Sequence, residues 1–460
     1  MSKAGVASFC GRCVERLEKD VFHKNAGNFP GVVAKKLDSD VLSKLAEQIT
    51  DASVVVSATN GKTTTTNMLA NCIEARGVRV FCNRDGSNLD TGIITTLLKR
   101  ESRSHAVFEC DELYTKYVLL RIKPRYFMLL NLFPDQVDRF GGIYHIQDTF
   151  VEALEKTPDT IVVYNADDPY CEAVAQRISN KTISFGMDYK ACTDMAPGAV
   201  THACDSAPSQ EEIACSACGT TLSYASHIYG QLGDFTCPDC GMTRVAPDFE
   251  ATDIQEIDGG YTFNISSRGK ALATIQVPVP GLYMVYNVLA VCVMANMLGV
   301  DFETIQQCIH SFNPRNGRLQ TYTIGKRTVI SNLAKNPVGF NQNIDIILKS
   351  AEPCAVGFWV NNNEGDGRDI EWLQDVNFEA LTPAYNNGMP VFVGGMVEED
   401  LLKRLEAAGI CARTAPCATD MLTFLNDNFQ DSTYNRVYMI ANYTALPPIH
   451  RELESLEKGK

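Results

Sequence analysis

The ten residues SATNGKTTTT, 57–66, constrain this chain more than any other stretch. They follow the β-branched run ASVVVSA (52–58) and open TTTTNMLANCIEARG (63–77), which puts Met68, Leu69, Cys72 and Ile73 on one helical face and ends on Gly77. A buried strand, a glycine turn and a helix N-terminus in that order form a phosphate-binding loop. The first amides of a helix have no intrahelical acceptor and point at an anion. Thr59, Asn60, Gly61, Lys62, Thr63 and Thr64 are therefore the candidate ATP-binding residues, with the backbone amides around Asn60, Gly61 and Lys62 as the cradle. The Lys62 ammonium reaches β- and γ-phosphate oxygens, and the Thr63 hydroxyl is a Mg²⁺ ligand. The loop departs from the general GxxxxGK[ST] pattern at Val56, where the first glycine would stand.

Around this loop, apolar runs alternate with helical patterns. VRVFCN (78–83), HAVFE (105–109), RYFMLLNL (125–132) and TIVVYN (160–165) are continuously apolar, as strands buried on both faces are, so the spacing predicts a parallel, doubly wound α/β sheet. FECDE (108–112) ends one of these strands with Glu109, Asp111 and Glu112. Carboxylates at the C-terminal end of a sheet, beside a phosphate loop, are natural Mg²⁺ ligands, and Glu109 is the one assigned.

At 460 residues the chain exceeds one ordinary core. Residues 1–48 read as an N-terminal helical segment, 49–318 as an ATP-binding domain, and 319–460 as a second, Rossmann-like α/β domain with strands near RTVISNL, CAVGFWV, PVFVGG and RVYMIA. Within the first domain, YTFNISSRGKALATIQVPVPG (261–281) reads as antiparallel strands. The stretch from about 196 to 250 turns polar and Gly/Pro-rich and reads as an insertion. It carries Cys215, Cys218, Cys237 and Cys240, two CxxC knuckles eighteen residues apart. That is the spacing of a tetrahedral zinc ribbon. Four thiolates fill the coordination sphere and leave no position for water or substrate, so the Zn²⁺ is structural and supplies folding free energy to a piece too small for its own core. His227, between the knuckles, is not needed as a ligand.

The other cysteines, of seventeen in all, are scattered through apolar segments, which suits buried thiols in a reducing cytoplasm. Cys10 and Cys13 form a lone further CxxC on the first helix. A net charge of -14 argues against nucleic acid as a partner. No run reaches the ~20 apolar residues of a membrane span, and the N-terminus lacks the apolar centre of a secretory signal.

The motifs together resemble the Mur ligase superfamily, ATP-dependent peptide ligases that also include folylpolyglutamate synthase. TNGKTTT is followed in order by NLFPDQVDRFGG (131–142), NADDP (165–169), GLYMVYNVLA (281–290) and NGRLQ (316–320), each similar to a segment of that superfamily. Several features resemble the MurT family, the Mur-ligase-like subunits of lipid II isoglutaminyl synthase. Gln136 stands where amino-acid-adding members carry His, and little chain precedes the loop where those members hold a UDP sugar. NLAKNPVGFNQ (332–342), GDGRDIEWLQD (365–375) and NYTALPPIHREL (442–453) are similar to MurT C-terminal segments, with Glu371 in place of the usual Ser and Gln374 in place of an aromatic.

The resemblance implies a reaction. ATP converts the D-glutamate α-carboxyl of lipid II into an acyl phosphate, and ammonia attacks it to give D-isoglutamine at the inner face of the cell membrane. It also implies a heterodimer with a separate glutaminase subunit of the class I amidotransferase type. Asn287 and Arg318 become nucleotide or phosphate contacts, and an aspartate of the third-domain loop completes the partner's Cys–His dyad. Asp366, Asp369 and Asp375 are the candidates, and Asp369 lies in the middle of the motif. Two other readings stay open: an amino-acid-adding or folylpolyglutamate-type ligase, and a non-catalytic nucleotide-binding partner protein.

Overall fold

The structure, a computed structural model, describes residues 3–20, 27–99, 104–133, 142–188, 213–312, 318–350, 352–429 and 433–459. They form two compact units, one through Phe312 and one beyond it. Gln136, residues 196–212 of the insertion and the start of NGRLQ lie outside the described residues.

The first unit contains β1 (Ser53–Ser57), β2 (Val80–Cys82), β3 (His105–Glu109), β4 (Tyr126–Leu129), β5 (Ile161–Asn165) and β6 (Thr182–Met187). It continues with β7 (Ser223–Tyr229), β8 (Leu232–Thr236), β9 (Phe249–Ile257), β10 (Gly260–Ser267) and β11 (Lys270–Val277). Nine of these make one sheet in the order β11-β10-β9-β6-β5-β4-β1-β3-β2. From β2 to β9 the pairs are parallel, and β9, β10 and β11 are antiparallel. All five residues of β1 are buried, as a central strand covered on both faces requires. The chain leaves β1 toward β2 on one side and leaves β4 toward β5 on the other. The C-terminal ends of β1 and β4 thus flank a topological switch point, the place where open parallel sheets bind ligands.

The N-terminal helices join this core. Ala7, Ala34, Val41, Leu42 and Leu45 pack in one apolar cluster with Phe81, Phe108, Phe127 and Phe150. The helix Phe29–Leu37 falls within the segment 1–48 read as helical, whereas β6 and the ribbon strands β7 and β8 have no counterpart in the sequence reading. β9 begins at Phe249, inside the stretch assigned to the insertion, because it pairs with β6 through Phe185↔Phe249.

The second unit is a six-stranded sheet of β12 (Gln320–Ile324), β13 (Arg327–Leu333), β14 (Cys354–Trp359), β15 (Val391–Gly394), β16 (Arg413–Thr414) and β17 (Arg436–Ala441). Its order is β12-β13-β17-β14-β15-β16, parallel apart from the β12–β13 hairpin. Trp359 is buried in its core and donates from Nε1 to the Ala415 carbonyl at 3.0 Å. No described helix in the chain is long and apolar enough to cross a membrane.

Candidate active site

Gly61 sits between β1 and the helix Lys62–Glu74 with φ 85°, a left-handed conformation that a side chain would strain. A Cβ there would also collide with Asn287 Oδ1, which fills the space beside the turn. The first helical hydrogen bond runs from Thr65 N to the Gly61 carbonyl, so the amides of Gly61 through Thr64 precede the ladder, in the position from which helix N-termini can hold an anion. Thr59 and Asn60 serve differently. Their amides donate to the Asn131 carbonyl at 3.1 Å and to Asn131 Oδ1 at 2.9 Å, and Asn131 Nδ2 returns a bond to the Asn60 carbonyl at 3.0 Å. The amide of Asn60, counted with the cradle from sequence, is thus committed to a side chain beyond β4. The Thr59 hydroxyl is tied to the backbone of Phe133 in both directions, at 3.0 and 3.2 Å.

Lys62 is buried. Its Nζ donates to the Ala58 carbonyl and lies 3.2 Å from both carboxylate oxygens of Glu112. The ammonium is therefore paired with a carboxylate at the mouth of the loop. Glu109 is 2% exposed, and its backbone is gripped by Asn83, which accepts from its amide at 3.0 Å and donates to its carbonyl at 2.9 Å. Gly86 reports where the Glu109 carboxylate points. A Cβ on Gly86 would meet Glu109 Oε1 at 3.6 Å and Thr63 Oγ1 at 3.7 Å. Hydroxyl and carboxylate thus converge on one small space, an oxygen donor set of the kind Mg²⁺ takes. Asp111 turns away and accepts from Leu113 N at 3.1 Å.

NADDP is a staple. Asp168 caps the helix Pro169–Arg177 through Tyr170 N at 2.9 Å and accepts from Leu132 N at 2.8 Å and Gln231 Nε2 at 3.0 Å. Asp167 accepts from Met187 N and the Tyr286 hydroxyl, both at 2.7 Å, and pairs with Arg244 Nε at 2.6 Å. Burial pushes both carboxyls above the ordinary range, Asp168 to about 6, against the pull of these donors.

The four cysteines meet as their spacing requires. Their sulfurs all lie within 4.8 Å of one another, with Cys215–Cys240 at 3.5 Å and Cys218–Cys237 at 3.4 Å. A tetrahedral site with Zn–S near 2.3 Å has sulfur–sulfur edges of about 3.8 Å, so the four thiols fit one metal ion after small adjustments. The knuckles are built alike, with Gly219 N donating to the Cys215 carbonyl and Gly241 N to the Cys237 carbonyl. Knuckle amides, those of Cys240 and Asp239, pull the Cys237 thiol below its ordinary value, while burial pushes the neighbouring Cys215 thiol up. Leu222, Phe235 and Met242 pack on Cys215 and Cys237. His227 faces Tyr224 edge-on at 5.1 Å and stands outside the thiol cluster.

In the second unit, the loop between β14 and the short 3-10 turn Glu371–Asp375 carries Asp366 and Asp369, and the turn itself ends on Asp375. Asp366 is buried, accepting from the Thr444 amide at 2.8 Å, the Thr444 hydroxyl and Asn363 N at 3.3 Å. Asp369 is exposed, and its Oδ1 accepts from Glu371 N at 2.8 Å. Asp375 is exposed at the end of the turn, its carboxyl raised by burial of its neighbourhood and lowered by Arg404. Asn336 caps the helix Pro337–Leu348 through Gly339 N at 2.8 Å, and Arg318 is half-buried just before β12.

Comparison with known proteins places this geometry. The Mur ligase middle domain family matches residues 56–231, and the MurT ligase C-terminal family matches residues 333–446. The MurT subunit of lipid II isoglutaminyl synthase (glutamine-hydrolyzing) from Streptococcus pneumoniae R6 is 31% identical over 423 residues, 91% of this chain and 90% of that protein. The chain belongs to the MurT family. The MurT subunit from Staphylococcus aureus N315 is 29% identical over 446 residues, 95% of each chain. Among solved structures, the D-alanyl-D-alanine-adding ligase of Acinetobacter baumannii superposes with a TM-score of 0.65 at 15% identity, over 94% of this chain and 80% of that one. MurF from Thermotoga maritima, in complex with ADP, gives 0.62 at 16%, over 91% and 83%. These likenesses show the shared Mur ligase fold.

Of the residues marked from sequence, this MurT chain brings Gly61, Lys62, Thr63, Glu109 and Asn287 together. Sequence reading missed Asn131, Glu112 as the partner of Lys62, Asn83, Gly86, Tyr286 and Gln231. Asn131 opens NLFPDQ, and a polar residue just past a buried strand was the available signal. Gln231, inside a hairpin between two cysteine knuckles, gave none.

Proposed function

We propose that this chain is the ATP-dependent subunit of a lipid II isoglutaminyl synthase, amidating the D-glutamate α-carboxyl of the stem peptide. The observation that carries the reading is the convergence of the Lys62 ammonium, the Thr63 hydroxyl and the Glu109 carboxylate at one helix N-terminus in a chain of the MurT family. The amides of Gly61 to Thr64 hold the phosphates, and Asn287 borders them. Lys62 exchanges Glu112 for β- and γ-phosphate oxygens, withdrawing charge as the γ-phosphoryl group moves. Bound at Thr63 and Glu109, Mg²⁺ would neutralise further phosphate charge. The substrate carboxylate attacks the γ-phosphorus and ADP leaves. Ammonia then attacks the acyl carbon, phosphate leaves, and the nitrogen loses a proton.

The ammonia comes from a glutaminase subunit of the class I amidotransferase type in a heterodimer, at the inner face of the cell membrane. Asp369 orients the partner's catalytic imidazole. Its carboxylate is exposed and its rotamer is fixed through Glu371 N, whereas the oxygens of Asp366 are consumed inside the loop. Asp375 is the weaker candidate because it lacks that fixed orientation. The four cysteines hold structural Zn²⁺.

The test is a mass spectrum of lipid II incubated with the chain, ATP, Mg²⁺ and ammonium, repeated with glutamine and the glutaminase. Conversion of one carboxyl to a carboxamide is expected. A gain of a whole amino-acid residue would move the chain to the amino-acid-adding ligases, and an unchanged substrate with ATP still bound would leave a non-catalytic partner protein.

A further inference from the structure

The cysteine ribbon reaches beyond its own metal. Its hairpin turn, between β7 and β8, is driven into the main unit. Gln231 is 3% exposed, and its Nε2 donates to the Leu132 carbonyl and to Asp168 Oδ2, each at 3.0 Å. Gly233 N donates to the Asp167 carbonyl at 2.9 Å. The Tyr229 ring stacks on Phe133, centroids 6.1 Å apart and 27° between planes, and meets Tyr286 edge-on at 6.0 Å.

These contacts lead to both walls of the phosphate loop. Leu132 and Phe133 continue directly from Asn131, and Asn131 and Phe133 are the residues that hold Asn60 and Thr59. Tyr286 precedes Asn287, whose Oδ1 fills the space at Gly61. Arg244, leaving the second knuckle, pairs with the same Asp167 that holds Tyr286.

We propose that Gln231 and Tyr229 are positioning residues of the phosphoryl-transfer site, and that the metal-gathered ribbon sets the affinity of the loop for nucleotide through them. The inference rests on reading the loop as the ATP site. Its physical basis is the small size of the ribbon. A two-stranded hairpin whose apolar cluster is Leu222, Phe235 and Met242 around two cysteines, closed by Ala173 of the main unit and edged by Ile213 and Tyr224, is too small to hold its shape alone, and gathering the thiolates keeps the turn seated. Once the turn withdraws, a buried carbonyl and a buried carboxylate lose a shared donor. Residues 131–133 then loosen, and the Asn131 clamp loosens with them.

Gln231→Met keeps the length and packing of the side chain and removes both donors. With one zinc per chain still bound, its Kd for MgADP by calorimetry should rise about five- to tenfold, the loss of one or two buried hydrogen bonds. In the complex with the glutaminase, KM for ATP should rise by the same factor while kcat changes less than about twofold. Amide hydrogen exchange should quicken at residues 59–61 and 131–133. Cys218→Ser, which cannot complete the thiolate set, should weaken MgADP binding in the same way. A wild-type chain that binds no MgADP removes the nucleotide reading itself. A wild-type chain that binds it no more tightly than zinc-loaded Gln231→Met overturns this inference alone. Should Gln231→Met fail to fold, Tyr229→Leu takes its place, and nucleotide affinity unchanged in that variant overturns the inference.

Discussion

Two acidic clusters stand at the C-terminal ends of strands in one sheet, after β3 and after β5, and their carboxylates do different work. Burial does not separate them, since Glu109 is 2% exposed and Asp168 0%. Their partners do. Asp167 and Asp168 are ringed by donors belonging to the fold: backbone amides, Arg244, Gln231 and a tyrosine hydroxyl. Glu109 and Glu112 instead face a hydroxyl and an ammonium at the start of a helix, groups that also serve phosphate and metal. An acidic residue at a strand end is a staple or a ligand according to the donors facing it, and sequence displays the acid without the donors.

Four changes test that contrast. Lys62→Ala should give the largest effect, a fall in amidation rate on the order of 10³-fold or more in the chain that remains folded. A rate near the wild-type value would place the phosphoryl chemistry elsewhere. Asp167→Ala removes the nearer carboxylate from the buried Arg244 guanidinium, leaving it Glu250 at 3.7 Å, and should cost about 3 kcal/mol in urea unfolding. A purely kinetic defect in that variant would reverse the assignment of the two clusters.

The third change concerns pH. Burial raises Asp168 from 3.8 to about 6, so the folded chain holds this proton more tightly than the unfolded chain does. Its contribution to stability is full below pH ~4 and is lost as pH rises through 6, by about 3 kcal/mol in all. Asp168→Asn should flatten that part of the stability–pH curve, and an unchanged slope would assign it to other groups. The smallest effect is expected for Glu109→Gln, about a 10²-fold loss of rate that added Mg²⁺ partly restores. Rate insensitive to Mg²⁺ in that variant would remove Glu109 from the metal site.

What sequence revealed follows from how local each feature is. The phosphate loop is written in consecutive residues, because a strand, a turn at positive φ and a helix start need only their own backbone. The four thiols are equally legible, since their spacing is the geometry of the metal. The helix Phe29–Leu37 lies inside the 1–48 segment read as helical, but it was not resolved there as a helix of its own. It forms because Pro30 is tolerated in a first helical turn, while Gly31 lies so close to the Thr91 backbone that no Cβ would fit. The Asn131 clamp, the Lys62–Glu112 pair and the Gln231 bridge each join residues distant in the chain, so no local pattern names the partner in any of them. Among the aspartates of the second unit, composition could not distinguish Asp366 from Asp369. Thr444, far along the chain, makes one a core staple and leaves the other at the surface.

The parallel pairing of β6 with β9 has a consequence for how the polypeptide reaches this state. Roughly sixty residues lie between the two strands, and closing a loop of that length costs about 2 kcal/mol more chain entropy than closing a four-residue connection. A metal gathered early by Cys215 to Cys240 would shorten the effective loop, and the last three strands of the sheet would then add to the core after the ribbon had closed. Refolding should then show a slow phase for β9 to β11 that zinc accelerates, and a phase indifferent to zinc would place ribbon closure after sheet completion. On this account an ion at the four thiols would act first on the order of assembly, before any nucleotide is present to be bound.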